Sequence, residues 1–313
     1  MRRDWSGKLA LTLILGGATL AALFVFNRLA APHEKILAGE GAGDPDYRAV
    51  LREITEETVG ADLEALLQPP SRYPGTAGCE AAADHVVQEL RRLGYQVVEQ
   101  PFDLTVPVTR SCSLTDADGD PLPGLSLAPM LPNFFRTCTT PPEGLTGTVY
   151  RGEKGLAQEF ESVDLKGNFV LLPIGQSWST VAGMGAAAIL YYDDGKKVTG
   201  AEWDHHKDAS LNVPRFLVRG DTAQLDGRRV RLTARVDYER CQLRNILAFL
   251  DRPAGPAAGA DGDEALIVGA FYDSFSYVPD LSPGAEQAGG VTALLAAARR
   301  LASEREALRR PVF

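Results

Sequence analysis

The chain has only four histidines, His33, His85, His205 and His206, so metal-ligand or general-base chemistry must draw on few imidazoles. The one cluster of ligand residue types is Trp203-Asp204-His205-His206-Lys207-Asp208. Imidazole and carboxylate are good zinc donors, but adjacent residues on a loop seldom face one ion, so a polar loop lip is expected there. Asp116-Ala117-Asp118-Gly119-Asp120 opens like a calcium loop, yet Leu127 stands where a bidentate Glu is needed, and the segment reads as a hairpin tip. Asp193-Asp194-Gly195 reads as a turn. Ser274 and Ser276 lack the Gly-x-Ser-x-Gly elbow that exposes a nucleophile. Gly289-Gly290 lacks the surrounding glycine fingerprint of a phosphate cradle and reads as close helix packing. His33 falls in a polar linker, and His85 lies between core positions of an amphipathic helix, as a surface or half-buried residue.

The 313 residues suit about two domains, and 45% hydrophobic content supplies a sizeable core. A formal charge of −9 argues against nucleic acid as a partner, because that needs clustered Lys and Arg. Leu9 to Phe26 is an apolar run without charge, preceded by Arg2, Arg3 and Lys8. Its length approaches the ~20 residues that span a bilayer. The basic flank predicts a single-pass membrane anchor with a cytoplasmic N-terminus and an extracytoplasmic bulk. A cleaved signal peptide is the competing reading, with Ala30-Ala31 as its cleavage site. Cys79, Cys112, Cys138 and Cys241 have no metal-type pair spacing. Cys112 and Cys138 bracket one short segment and form the pair to expect if a disulfide is made; free buried thiols are the alternative.

These side chains must be placed by an alternating pattern that opens and closes the chain. Residues 31–46 read as a linker. Tyr47 to Leu67 reads as a helix, ended by Gln68-Pro69-Pro70. A second helix carries Ala83, Val86, Val87, Leu90 and Leu93 on one face and stops at Gly94. Tyr95 to Leu104 alternates as a strand does. From about Val106 six prolines rule out long helices, and strands are expected at 147–150, 168–172, 188–192, 213–218 and 230–236, with a short helix at 180–187. Arg244 to Leu250 is an apolar strand, and Pro253 to Asp263 a flexible connection. Leu266-Ile267-Val268-Gly269-Ala270 reads as a buried strand. A helix then carries the stripe Val291, Leu294, Leu295, Ala298 and Leu301. The fold class is α/β, one domain interrupted by a β-rich insertion.

The layout resembles the clan MH, family 28 zinc peptidases, which include aminopeptidases, glutamate carboxypeptidases and the transferrin receptor ectodomain. Arg72-Tyr73-Pro74-Gly75-Thr76-Ala77-Gly78 is similar to the family's Arg-x-x-Gly-Thr-x-Gly opening. Val163 to Leu172, Gly183 to Tyr192 and Asn212 to Phe216 resemble a protease-associated domain, and Arg244 to Ala248 resembles the strand by which the chain re-enters the peptidase domain. The hydropathy and composition give a cytoplasmic tip and membrane anchor over 1–30 and a linker over 31–46, and the resemblance implies a peptidase-like part over 47–105, a protease-associated insertion over 106–240, and an incomplete peptidase-like part over 241–313.

The resemblance also locates a metal site and shows what has changed in it. The family's strand ends in Gly-Ala-His-x-Asp-Ser; here the histidine is Phe271, which has no lone pair to give. Asp273 keeps the place of the Asp that orients the histidine. Glu286 is the carboxylate nearest the bridging position, and Gln287 stands for the usual Asn. Asp273 and Glu286 are the residual metal-ligand candidates, and Asp204, His205 and His206 a possible lip of the cleft. The family's Glu-Glu pair is carried by its next strand, which would begin at Arg309-Arg310-Pro311-Val312-Phe313. The expectation is a non-catalytic chain without a cofactor that binds a peptide or protein, with a partner chain or further sequence completing the sheet. Its rivals are an active zinc aminopeptidase whose remaining ligands lie beyond this chain, and the extracellular part of a membrane complex.

Overall fold

The computed structural model describes residues 55–133, 136–195, 212–250, 266–308 and 312. The chain divides into two compact units, Met1–Thr58 and Val59–Phe313, and the sheet and the candidate site belong to the second. The anchor at 9–26, the linker at 31–46, the cluster Asp204, His205 and His206, and the connection at 253–263 all lie outside the described residues. Among those described, no helix is long and apolar enough to cross a membrane.

Helix α1, Glu56–Leu67, ends at the Pro pair as its sequence predicts. Helix α2 spans Ala77–Arg92. The Thr76 side chain caps it by accepting from the Cys79 amide at 3.3 Å. Gly94, at φ +85°, provides the left-handed exit. Of the stripe expected from the spacing, Ala83, Val86, Val87 and Leu90 are buried and Leu93 is half-buried, and Ala82 joins them.

Seven strands form one mixed sheet. They are β1 (Gln96–Asp116), β2 (Ser126–Pro129), β3 (Leu145–Arg151), β4 (Phe169–Pro173), β5 (Ala188–Tyr192), β6 (Arg215–Arg219) and β7 (Arg229–Phe249). Their order is β1-β7-β3-β4-β5-β6-β2. The pairs β3/β4, β4/β5 and β5/β6 are parallel, and the others antiparallel. A short helix α3, Ser179–Gly183, follows β4. The central strand β4 is buried on both faces, so its sequence Phe-Val-Leu-Leu-Pro is continuously apolar rather than alternating. Phe169 and Leu171 enter one core, with Leu190, Phe216 and Leu232. Val170 and Leu172 enter the other, with Trp178, Ile189 and Tyr191. Burying a side chain of this size contributes roughly 1.5–3 kcal/mol.

Two strands are longer than their sequence suggests. The separate strands expected at 230–236 and 244–250 are one continuous strand, β7, paired with β1 along almost its whole length. The intervening Asp237, Glu239 and Arg240 break the apolar pattern because the ladder is solvated there, not because the strand stops. Arg110 with Glu239 and Arg240 with Asp103 form ion pairs across the ladder. The boundaries expected at 105/106 and 240/241 fall opposite one another, with Thr105 facing Arg240, and neither strand breaks there. One end of the ladder packs under α2 and under helix α4, Ala285–Ser303, through Val97, Ile246 and Ala248. The other end joins the β3–β6 sheet.

The expectation of a buried strand at 266–270 is not met. Of these five residues only Leu266 makes a bridge, and Ile267 is 78% exposed. The segment is apolar and extended but has no described strand on either side beyond that point. Its sequence pattern reported a capacity for burial that the described chain does not use.

Candidate functional site

The site expected from the sequence lies where this extended segment meets the start of α4. The Arg72–Gly78 motif builds one wall. Gly78 has no room for a side chain, since a Cβ there would stand 1.9 Å from the Ser71 carbonyl oxygen. Arg72 is fully buried. Its Nε donates to the Pro283 carbonyl at 3.1 Å and its Nη2 to the Gly284 carbonyl at 3.0 Å. Its backbone completes the clamp: the Arg72 amide donates to Ser282 at 2.8 Å, and the Ser274 amide donates to the Arg72 carbonyl at 3.0 Å. Ser71 donates to the Pro279 carbonyl. One buried arginine thus fastens the 271–284 loop to the N-terminal part of the unit. Nothing in the sequence marked Arg72 for this; its place in a turn-rich motif was the only available signal.

Ser274, a weak nucleophile candidate, is buried and donates to the Ser282 carbonyl at 2.6 Å. That bond closes the loop and leaves the hydroxyl no exposed face. Gly284, at φ +64°, turns the chain into α4. Gln287 has both amide atoms engaged by one residue: its Oε1 accepts from the Phe275 amide at 3.0 Å, and its Nε2 donates to the Phe275 carbonyl at 3.2 Å. Glu286 is exposed.

Phe271 is 82% exposed. Asp273 is half-buried, and desolvation raises its carboxyl above the usual range, with the charge of Arg72 opposing. Burial also pushes the Cys79 thiol up to about 12, so it is a packing group and not a thiolate nucleophile or ligand. Among the described residues, no group of three or more His, Cys, Asp or Glu is placed to hold a metal ion. The donor set does not fit a zinc ion. Phe271 offers no lone pair, and the Gln287 amide is committed to backbone.

The remaining sequence candidates have structural roles. His85 Nε2 lies 3.1 Å from Asp62 Oδ1, and Asp62 also accepts two bonds from Arg299, at 2.6 and 2.9 Å. Asp116 Oδ1 accepts from the amides of Asp118 and Asp120 at 3.0 and 2.9 Å, which makes the loop a hairpin tip. Asp193 accepts from the Gly195 amide at 2.8 Å and closes its turn. All four cysteines are free, so of the two readings it is the free thiols that the structure has, and Cys112 and Cys138 are not joined. Cys138 instead donates to the Met130 carbonyl and accepts from the Arg215 amide inside the core.

An open groove of about 540 Å³ lies beside the site. Its sides are β7 residues 243–249 and the segment 267–273, and its floor includes Val86, Leu90, Val291, Leu294 and Ala298. Tyr272 closes one end, its hydroxyl donating to the Arg244 carbonyl at 2.6 Å. Neither the groove nor this bond was foreseen, because both depend on where two segments distant in sequence come together.

No family model matches the chain, and no curated protein does. Solved structures do resemble it. BSAP, a zinc aminopeptidase from Bacillus subtilis, superposes with a TM-score of 0.55 at 19% identity, covering 82% of this chain and 60% of that one. A peptidase M28 precursor from Shewanella amazonensis SB2B superposes with a TM-score of 0.55 at 16% identity, covering 85% of this chain and 64% of that one. At these identities the likeness shows the fold. The α/β fold with its seven-stranded mixed sheet is thus similar to that of zinc aminopeptidases, and the chain spans 60% and 64% of the lengths of the two relatives.

Proposed function

We propose that this chain is a non-catalytic protein of the zinc-aminopeptidase fold that acts by binding a peptide or protein. The observation that carries the reading is Phe271. An exposed phenyl ring occupies the end of the segment where a nitrogen ligand is needed. The fold supports ancestry among peptidases, and function has to be argued from the site itself. Among the described residues, no histidine joins Asp273 in a metal-holding group. Gln287 serves the loop instead of an ion. What the site does offer is apolar surface: Ile267, Val268, Phe271 and Phe275 are all exposed large side chains in one short segment. Contiguous exposed apolar surface of this kind marks interaction sites. The domains over 47–105, 106–240 and 241–313 form the binding body, and the apolar run at 9–26 holds it to a membrane on the extracytoplasmic side.

The test is to purify the full chain in mild detergent, measure its zinc content by plasma emission, and assay hydrolysis of aminoacyl-nitroanilides. The expected result is substoichiometric zinc and no turnover. Stoichiometric zinc together with turnover would end the non-catalytic reading in favour of an active aminopeptidase.

A further inference from the structure

We infer that Pro101 and Pro107 are blocks on the outer edge of β1, placed so that this edge does not pair with the same edge of a second copy of the chain. The inference is independent of the peptide-binding reading and concerns the opposite side of the β1/β7 ladder from the candidate site.

Among the described residues, β1 ends the strand order and is paired on one side alone, by β7. The register between the two strands fixes which backbone groups of β1 face outward. It runs without a shift from Gln96 to Thr109, with Pro101 opposite Arg244 and Pro107 opposite Tyr238. On β7 the even-numbered residues turn their backbone groups away from β1. Ala234 and Val236 exchange bonds with Thr140 and Thr139 on that far side. Ten residues further along, the Arg244 carbonyl accepts the Tyr272 hydroxyl there. In an antiparallel ladder, two opposed residues either exchange both bonds or both point away from each other. The β1 residues opposite even-numbered partners therefore face outward: Val97, Glu99, Pro101, Asp103, Thr105 and Pro107.

Both prolines fall at outward positions. A residue without an N–H is tolerated there, because the ladder with β7 loses no bond. What the prolines remove is donors on the open side. From Val97 to Pro107 no more than two successive outward positions keep an amide. An incoming antiparallel strand needs a donor and an acceptor at every outward residue. Its own carbonyl would meet a pyrrolidine ring at Pro101 and at Pro107 and be left without a partner.

The segment is one that calls for such blocks. Val97-Val98 and Phe102 to Val106 are rich in strand formers, and Val98, Phe102 and Leu104 are exposed. The charges along it are matched within the chain, Asp103 with Arg240 and Glu99 with Arg244 and Arg91, so they give little repulsion against another copy. An exposed apolar edge of this kind is a template for a further strand. A second copy is the partner to be refused, because it always presents the same edge. Two β1 edges would meet antiparallel about a two-fold axis, and each proline would then occur twice in one pair.

The test is the double variant Pro101→Thr, Pro107→Thr, compared with the unchanged full chain in mild detergent. Mass is read by sedimentation across a concentration series, and the contact is located by amide hydrogen exchange. The unchanged chain is expected to keep its outward β1 amides unprotected at every concentration. The double variant should self-associate at least about a hundredfold more tightly, since a symmetric pair regains a donor at each of its prolines. New protection should appear at the outward amides of residues 97–107. The single variants carry the same test should the double variant not fold, each tightening self-association at least about tenfold. No gain in self-association by the folded variants would overturn the inference. So would a gain without protection of residues 97–107, which would place the new contact elsewhere. Concentration-dependent protection of the same amides in the unchanged chain would overturn it too, because the edge would then pair despite its prolines.

Discussion

The Tyr272 hydroxyl donates to the Arg244 carbonyl at 2.6 Å, a bond that joins the site loop to the middle of a strand 28 residues earlier in the chain. Burial pushes the Tyr272 phenol up to about 12, with the charges of Cys79 and Glu80 adding to it. The neutral donor is therefore favoured in the folded state. The folded pKa is raised, so its contribution to stability is fully present below pH 10, the ordinary value, and is lost as pH rises through about 12. Tyr272→Phe should cost about 1 kcal/mol at neutral pH in urea denaturation. The same change should remove one late-titrating phenolate from the absorbance titration at 295 nm.

Asp62 is buried, and its carboxylate ties three helices together. It accepts two bonds from Arg299 of α4 and lies against His85 of α2. Asp62→Ala removes two of the bonds on the Arg299 guanidinium and leaves it with Glu89 as its remaining carboxylate partner. Hydrogen bonds to charged groups contribute about 1.5–3 kcal/mol; with Glu89 still in place and the Arg299 side chain 25% exposed, the lower end, about 1.5 kcal/mol, is expected. A fall in the urea midpoint at constant slope checks this. A change within a few tenths of a kcal/mol would show that water replaces the pair.

Glu89 gives the acid limb of stability. Bonds from Arg92, and then from Arg299, hold its carboxyl down at about 2 against the ordinary 4.5. A depressed folded pKa stabilises above pH 4.5, and that stability is lost as pH falls toward 2. Glu89→Gln should flatten the stability profile between those limits and change little in its shape above them. Thermal melts across pH 2.5 to 6 would show it.

Asp273 should behave in the opposite sense. Desolvation raises its folded pKa, so at neutral pH its charge is held at a cost that the Arg72 charge only partly offsets. Asp273→Asn is expected to raise the melting temperature at pH 7, with the gain fading below the ordinary carboxylate range. A loss of stability at pH 7 would show that the carboxylate makes a contact the chain depends on.

Much of the fold was legible in the residues. The amphipathic stripe of α2 and its Gly94 exit are local features that the spacing predicts, whereas the Thr76 cap was seen only in the structure. The short strands β3, β4 and β5 announced themselves as apolar runs between turns. The change at Phe271 is also a sequence fact: no folding of the chain can give a phenyl ring a lone pair.

Other features were not local. The continuity of β7 through Asp237, Glu239 and Arg240 comes from its pairing with β1, in which opposed charges lie across the ladder and need no apolar pattern. The exposure of 266–270 depends on which strands stand beside it, which composition cannot report. A strongly apolar segment reads as buried whether or not a neighbour covers it.

The amino-acid order by itself determined the α/β alternation, the breakpoints set by proline and glycine, and the loss of the imidazole at position 271. These depend on backbone geometry and on the donor atoms each side chain carries. Only the tertiary structure decided that Arg72 clamps the loop, that Gln287 is spent on Phe275, and that Leu250 and Leu266 both bridge Val312. Each of these joins residues far apart in the chain. Their meeting is set by how the helices and the sheet pack and not by any local preference.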